Sequence, residues 1–332
     1  MSFVIEPKQL EFPRLNGPRL GTGILRQSWE DFEVEEQLGF ELTGEGEHVY
    51  LKIRKRGANT GWVSDRLSEF LQIRYFDVGY AGKKDRHAVT TQWFSCWLPG
   101  QQDPDLSSLN IEGVELLDVI RHERKLRIGA HSANRFKLQI TSLSGDQESM
   151  ESRLQAIRDI GFPNYFGKQR FGIEGNNLKH ASAMFEGTKF ARKKRGIYLS
   201  AARSWLFNQQ LAAIITGTAE GAVEDKTNPD EWKPDENLWL YGLSPHRDIT
   251  IPSLPETDYQ QWGKGLEEFK VKASERPIGV VPTDFTWTFN DAGLLLSFDL
   301  PPGAYATSLV QELIDYRDAD DFGFDAKSGE TV

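Results

Sequence analysis

The chain has 332 residues, of which 39% are hydrophobic and 11% aromatic, and a formal net charge of −10. That is length for one large or two ordinary domains and the composition of a folded chain, not a disordered one. Its one cysteine, Cys96, excludes an intramolecular disulfide and a cysteine zinc cage and points to a reducing compartment. Residues 1–7 lack the basic-then-apolar pattern of a signal peptide, and no apolar run approaches membrane-spanning length, so a cytoplasmic protein without a membrane partner is expected.

In chain order, 23–26 and 31–36 read as strands, and 48–54 alternates in the same way. Glu45, Glu47 and His48 read as an exposed hairpin turn, not a ligand set. A helix capped by Asn59 or Thr60 should run through Val63, Leu67, Phe70 and Leu71 on one face. Strands follow at 89–94 and 135–140. A helix over about 147–160 carries Met150, Leu154 and Ile157 and stops at Gly161, with Pro163 close behind. Ser200 reads as the cap of a further helix through Ala201, Trp205, Leu206 and Leu211 to Thr216. Residues 217–282 are rich in turn formers, acids and tryptophan. Strands return at 285–289 and 294–298, and a last helix is expected from Thr307 to about Tyr316. The acidic tail after Asp318 reads as disordered. Strands, a helical section and strands again make an α+β domain interrupted by an insertion.

Residues 79–92 carry the most chemistry. They place Asp85 among Lys83, Lys84 and Arg86 on a glycine-hinged turn that runs into a strand. Nearby buried cations would hold such a carboxylate ionised, fit to act as nucleophile or base on a substrate that the same charges attract. Taken alone, a turn of this composition is most often simply solvated. The charge distribution adds context: residues 205–332 hold 9 basic against 23 acidic side chains, whereas 51–100 hold 9 against 4 and 151–200 hold 10 against 4. Local basic fields of this kind can steer a polyanion despite the formal total. Two runs stand out: Lys189, Arg192, Lys193, Lys194 and Arg195; and Arg121, Arg124, Lys125 and Arg127.

Gly82-Lys83-Lys84-Asp85-Arg86-His87-Ala88-Val89-Thr90-Thr91-Gln92 resembles the signature Gly-x-Lys-Asp-x-x-Ala-x-Thr-x-Gln of the TruD family of pseudouridine synthases, with one extra basic residue. Further matches follow in the family's order. They include Gly21-Thr22-Gly23, Glu30-Asp31-Phe32, Gly44-Glu45-Gly46-Glu47-His48, Arg124 to Arg127 with Gly129, and Asn134-Arg135-Phe136. Later come Pro163-Asn164-Tyr165-Phe166-Gly167-Lys168-Gln169-Arg170-Phe171-Gly172, Ser200 to Ser204 with Phe207-Asn208, and Pro302-Gly303-Ala304-Tyr305-Ala306-Thr307. The resemblance is thinnest over 215–280.

The resemblance implies a pseudouridine synthase catalytic core, α+β with a mixed, largely antiparallel sheet, formed by 1–160 and 280–332. An inserted α-rich TRUD domain would occupy 161–279. It implies a monomer that isomerises uridine 13 in the D-arm of tRNA, with no obligatory protein partner. The reaction needs no metal or cofactor, and the sequence offers no phosphate loop, dinucleotide fingerprint or His-x-x-x-His pair. Asp85 would be the essential aspartate, either attacking the sugar or the pyrimidine, or abstracting a ribose proton on a glycal route. Phe32, Phe136 and Tyr305 match the aromatic positions around the flipped uracil, and Asn134 matches the residue that reads its edge; read as bare residues, they fit core packing and a strand-start cap. Arg26 is the candidate cation beside Asp85, at a place where a lysine is common in relatives, with Lys84 as the local alternative. The run from Lys189 to Arg195 is the candidate contact for the RNA backbone. Two other readings use the same residues: an RNA-binding module without chemistry, and an acid-dependent glycosidase, which would want a second carboxyl group.

Overall fold

A computed structural model describes residues 10–217, 232–243 and 260–318. The expected tail after Asp318 lies outside them. The chain divides into two compact units. Of the described residues, one holds 20–146, 282–303 and 314–318; the other holds 10–19, 147–217, 232–243, 260–281 and 304–313.

The sheet-bearing unit begins with β1 (Gly21–Leu25), β2 (Phe32–Gln37) and β3 (His48–Arg56), then helix α1 (Thr60–Phe70). Next come β4 (Val78–Tyr80), β5 (Val89–Trp97), β6 (Val114–His122) and the long β7 (Ala133–Gly145). The other unit opens with α2 (Gln147–Ile160) and β8 (Phe162–Pro163), followed by α3 (Asn176–Phe185) and α4 (Arg192–Ile215). It continues with β9 (Asn237–Leu240), α5 (Gln260–Glu268), β10 (Ser274–Pro277) and β11 (Gly279–Val280). Strands β12 (Thr283–Asn290) and β13 (Gly293–Leu300) return to the first unit, α6 (Ala306–Leu313) belongs to the second, and β14 (Asp315–Asp318) closes the first.

The large sheet runs β12-β13-β7-β2-β5-β3-β6, with β1 joined to β7 and β14, and β4 joined to β5. Only β2–β5 and β1–β14 are parallel among its pairs, so the class is α+β with a mixed, largely antiparallel sheet. Register sorts its side chains. On one face Val34 stands beside Phe136 and Thr90, Glu36 beside Asn134, and Thr90 beside Lys55. That face is apolar where α1 covers it, through Val49, Leu51, Ile53, Val63, Leu67 and Phe94. Truncating a buried leucine such as Leu67 to alanine would cost roughly 2–5 kcal/mol. The opposite face is buried at Tyr50 and Trp93, which pack with Leu126, and elsewhere it is laced with ion pairs, among them Lys52–Glu35 at 2.7 Å and Lys137–Glu33 at 3.2 Å.

Four sequence readings change here. Helix α4 starts at Arg192, after Ala191, so Ser200 sits inside it and caps nothing. Arg192 to Arg195 of the basic run therefore form its first turn. Asn59 precedes α1 without a side-chain cap bond, and the Thr60 hydroxyl donates to Gln92 instead of capping. His48 is buried as the first residue of β3, and burial lowers its pKa. The last helix ends at Leu313, where buried Ile314 turns the chain into β14, paired in parallel with β1. By contrast, α2 has the expected bounds, with Met150, Leu154 and Ile157 buried. It stops where Gly161 adopts φ 82°; a Cβ there would meet the Val280 carbonyl oxygen at 2.4 Å.

In the helical unit, Glu312 on α6 is buried and accepts from the Leu15 N–H at 3.2 Å. Burial outweighs the attraction of Arg14 and Arg153 and raises its carboxyl from 4.5 to about 7. The folded chain thus holds a proton that the unfolded chain has released between those values. Stability is fully present below the lower one and falls as pH rises through the window. The thermal midpoint should drop between about pH 4.5 and 7, and Glu312→Gln should flatten that drop by on the order of 3 kcal/mol, read as the difference between the two pH–stability curves.

Candidate active site

Asp85 lies on an irregular turn between β4 and β5, and its position is set by ties from beneath. The Gln92 amide, wholly buried on β5, donates to the Gly82 carbonyl at 3.1 Å and accepts from Thr60 Oγ1 at 2.8 Å. The same Thr60 hydroxyl accepts from the Lys84 N–H at 3.0 Å. Lys55 Nζ donates to the carbonyls of Ala58 (2.7 Å) and Asp85 itself (3.0 Å), and Arg86 Nε reaches the Gly57 carbonyl at 3.1 Å. Gly57 has φ 64° and no room for a side chain, since a Cβ would lie 2.7 Å from the Trp29 ring. Two turns, 55–60 and 81–86, are thereby clipped together. The carboxylate they carry remains 51% exposed, open to a reactant.

Arg26 Nη2 lies 3.3 Å from Asp85 Oδ2. Its guanidinium also pairs through Nη1 with Asp318 and rests on the Phe32 ring, 3.9 Å from the centroid. Arg26 leaves β1 in the left-handed region at φ 59°, a conformation costing a side-chain-bearing residue roughly 1–2 kcal/mol. That twist takes it out of the strand. Phe32, 2% exposed, meets Phe136 edge to face at 6.2 Å, and Phe136 stacks on Phe298 at 5.5 Å. Phe32 thus serves first as the seat for the guanidinium.

Lys84 points away from Asp85. Its ammonium pairs with Glu36 at 2.8 Å and donates to Asn134 Oδ1 at 2.6 Å. The unit therefore links Asp85, Arg26, Phe32 and Phe136 by successive contacts, and Asn134 is tied to the same turn through Lys84. Tyr305 belongs to the helical unit, where its hydroxyl accepts from Arg170 Nη2 at 2.7 Å and its ring meets Phe166 edge-on at 6.0 Å. Arg170 comes from the Pro163–Gly172 motif. Within that motif Asn164 is buried against Arg276, and Phe166 exchanges backbone bonds with the Asn208 amide at 2.9 and 3.0 Å. Burial lowers the Arg276 pKa to about 10.

Lys189, Arg192, Lys193 and Lys194 are exposed and Arg195 half-buried, the last four in the opening turn of α4 with no acid among them. Of the second run, Arg121 is spent on Asp103 (2.7 Å) and on the Gly46 and Gln101 carbonyls, and Lys125 on the Phe76 carbonyl; Arg124 and Arg127 face outward.

Sequence reasoning missed Lys55, Glu36, His131 and Asp318. The first two break the apolar alternation of their strands at one inward position each, a readable signal. Asp318 was hidden by the expectation of a helix through Tyr316. Lys55 is fully buried, and burial, aided by Lys84 and opposed by Asp85, pushes its ammonium down from 10.5 to about 8. Below that value the folded chain bears the cost of a buried charge, and the cost fades as pH rises from about 8 toward 10.5. Lys55→Met removes that cost but leaves two carbonyls without a donor, about 1–3 kcal/mol each. The thermal midpoint should therefore move little, while backbone amide exchange at residues 83–87 should rise at least about tenfold.

Comparison with known proteins matches residues 18–188 to the family model described as tRNA pseudouridine synthase D (TruD). The chain is 39% identical to the tRNA pseudouridine synthase D of Aeromonas salmonicida, over 95% of this chain and 98% of that one. It is 40% identical to that of Nitrosococcus oceani, over 91% and 93%. A crystal structure from Methanosarcina mazei, provisionally named tRNA pseudouridine synthase D, superposes with a TM-score of 0.63 over 93% of this chain and 97% of the other at 18% identity, a likeness of fold.

Proposed function

The chain belongs to the tRNA pseudouridine synthase D (TruD) family, and from there we propose that it isomerises uridine 13 in the D-arm of tRNA to pseudouridine, with Asp85 as the essential carboxylate. The reaction breaks the N1–C1′ bond, turns the uracil over and joins C5 to C1′, with the C5 proton released and N1 protonated. Atoms balance without an external donor. The observation that carries the reading is a half-exposed carboxylate on a turn tied down at Gly82, Lys84 and Asp85, with a guanidinium 3.3 Å away.

Arg26 would keep Asp85 ionised and aimed, since a guanidinium stays charged at any working pH. The target base must leave its stack, at a cost of a few kcal/mol, and an aromatic surface returns about 1–3 kcal/mol. We assign Phe32 and Phe136 to the apolar wall beside that base, Asn134 to its polar edge and Tyr305 to substrate contact as well. Residues 161–279 are assigned to the inserted TRUD domain, and the chain acts as a monomer with tRNA as its partner.

Asp85→Asn is nearly isosteric. It should leave the thermal midpoint and tRNA affinity close to wild type while abolishing tritium release from 5-labelled uridine in tRNA; undiminished turnover would refute the role of Asp85.

The α4 run is proposed to hold RNA phosphates. Cations in a helix's first turn oppose its dipole by about 0.3–1 kcal/mol each, and an anion at the same place reverses that penalty. Replacing Lys193, Lys194 and Arg195 with alanine should weaken tRNA binding and flatten its salt dependence by about 0.7–0.9 in log–log slope per lost phosphate contact. Unchanged affinity and slope would remove this surface from the interface.

A further inference from the structure

Asn134 is held from both ends of its amide. Lys84 Nζ lies 2.6 Å from Oδ1, and His131 Nε2 lies 3.2 Å from Nδ2. An ammonium only donates, so the amide atom facing Lys84 must be the oxygen. An amide nitrogen only donates as well, so the histidine atom facing it must be bare. His131 is therefore a neutral imidazole carrying its proton on Nδ1. Its burial agrees with the neutral form: His131 is 9% exposed, and burial together with the Lys84 charge lowers its pKa to about 4, although Nδ1 finds no acceptor among the described residues. Lys84 cannot easily turn aside, because Glu36, itself buried, holds it at 2.8 Å and is in turn bound to the Trp93 N–H at 3.2 Å.

A free amide turns over about its last torsion at little cost and exchanges donor for acceptor. This one would have to place its NH2 against an ammonium and its oxygen against the Nε2 lone pair. Both contacts would become repulsive in a buried setting, where unmade bonds are costly. Asn134 thus has one N–H and one oxygen lone pair left to offer, in an order that is fixed.

The two pyrimidines present opposite orders. Uracil offers an N3–H donor beside carbonyl acceptors, and cytosine an N3 acceptor beside an amino donor. A turnable amide could serve either base, whereas a fixed one serves a single pattern. Resting on the proposed contact of Asn134 with the base, we infer that Lys84 and His131 are positioning residues that lock the Asn134 amide and thereby make the site select uracil over cytosine.

The test is competition. Isomerisation of a uridine-13 tRNA is measured against the same tRNA carrying cytidine at that position. The wild type should prefer uridine by roughly 10- to 100-fold in binding, as expected for one reversed donor–acceptor pair. His131→Leu, which leaves the Lys84–Glu36 pair intact, and Lys84→Met combined with Glu36→Leu, which avoids an orphaned buried carboxylate, should each bring that ratio to within about threefold. Lys84→Arg, still a pure donor, should preserve it. The thermal midpoint of each variant separates loss of fold from loss of selectivity. A folded His131→Leu or Lys84→Met/Glu36→Leu protein with the full wild-type ratio overturns the lock. A wild type that isomerises uridine without preferring it also overturns the lock while leaving the proposed activity standing. A wild type that forms no pseudouridine in tRNA overturns the activity and this inference with it.

Discussion

The buried ion pair between Lys84 and Glu36 is the constraint on which the site depends. Both side chains sit almost out of solvent on a sheet face that is elsewhere packed with leucine, isoleucine and phenylalanine. Two charges in such a place cost several kcal/mol in lost hydration, which a well-made pair and its further hydrogen bonds must offset. Around them the face stays polar: Lys55, Thr90, Gln92 and Asn134 line up across β3, β5 and β7. Such a strip would be a defect if covered by an apolar helix. The turn 81–86 covers it instead, and its own carbonyls and N–H groups supply partners for Gln92, Lys55 and Thr60. The polar strip needs the turn as much as the turn needs the strip, so Asp85 is held by mutual necessity.

The same reasoning explains why the cluster holds more than one cation. Arg26 is divided between Asp85 and Asp318, and its face is occupied by Phe32. Lys55 supports the backbone of Asp85, not its carboxylate, and Lys84 is committed to Glu36. Among the described residues in this cluster, three inner cations face three carboxylates. Lys83 and Arg86 remain over at the exposed rim of the turn. A neutral interior under a positive rim gives a site that attracts a polyanion without burying uncompensated charge.

Periodic features were legible from the sequence. Strand β2, strand β3 and helix α2 emerge where their alternation placed them, because each buries one face against a continuous core. Position-specific features were not. Ser200 resembles a cap, but helix formation began eight residues earlier at Arg192, as tertiary packing of Tyr198, Ala201, Ala202 and Trp205 drew the whole stretch into α4. Residues 315–318 continue an amphipathic pattern, yet edge pairing with β1 makes them a strand. The candidate site was legible only as a set of names: Asp85, Arg26, Phe32, Asn134 and Phe136. Which cation touches which carboxylate depends on a left-handed Arg26 and on an inward Glu36, and neither follows from local propensity.

Net acidity argues less against an RNA substrate than it first suggests. The opening turn of α4 concentrates three exposed cations where the unpaired N–H groups of the helix already make the potential positive. No acid in that turn relieves the repulsion, so the arrangement lowers the stability of the free chain. Surface charge without a partner drifts toward pairs, as it has on the outer face of the large sheet, where Lys52, Arg54, Lys137 and Arg135 each meet a carboxylate. A helix end that forgoes such pairs among the described residues is electrostatically incomplete, and a phosphate backbone supplies both the negative charge and the acceptors that would complete it.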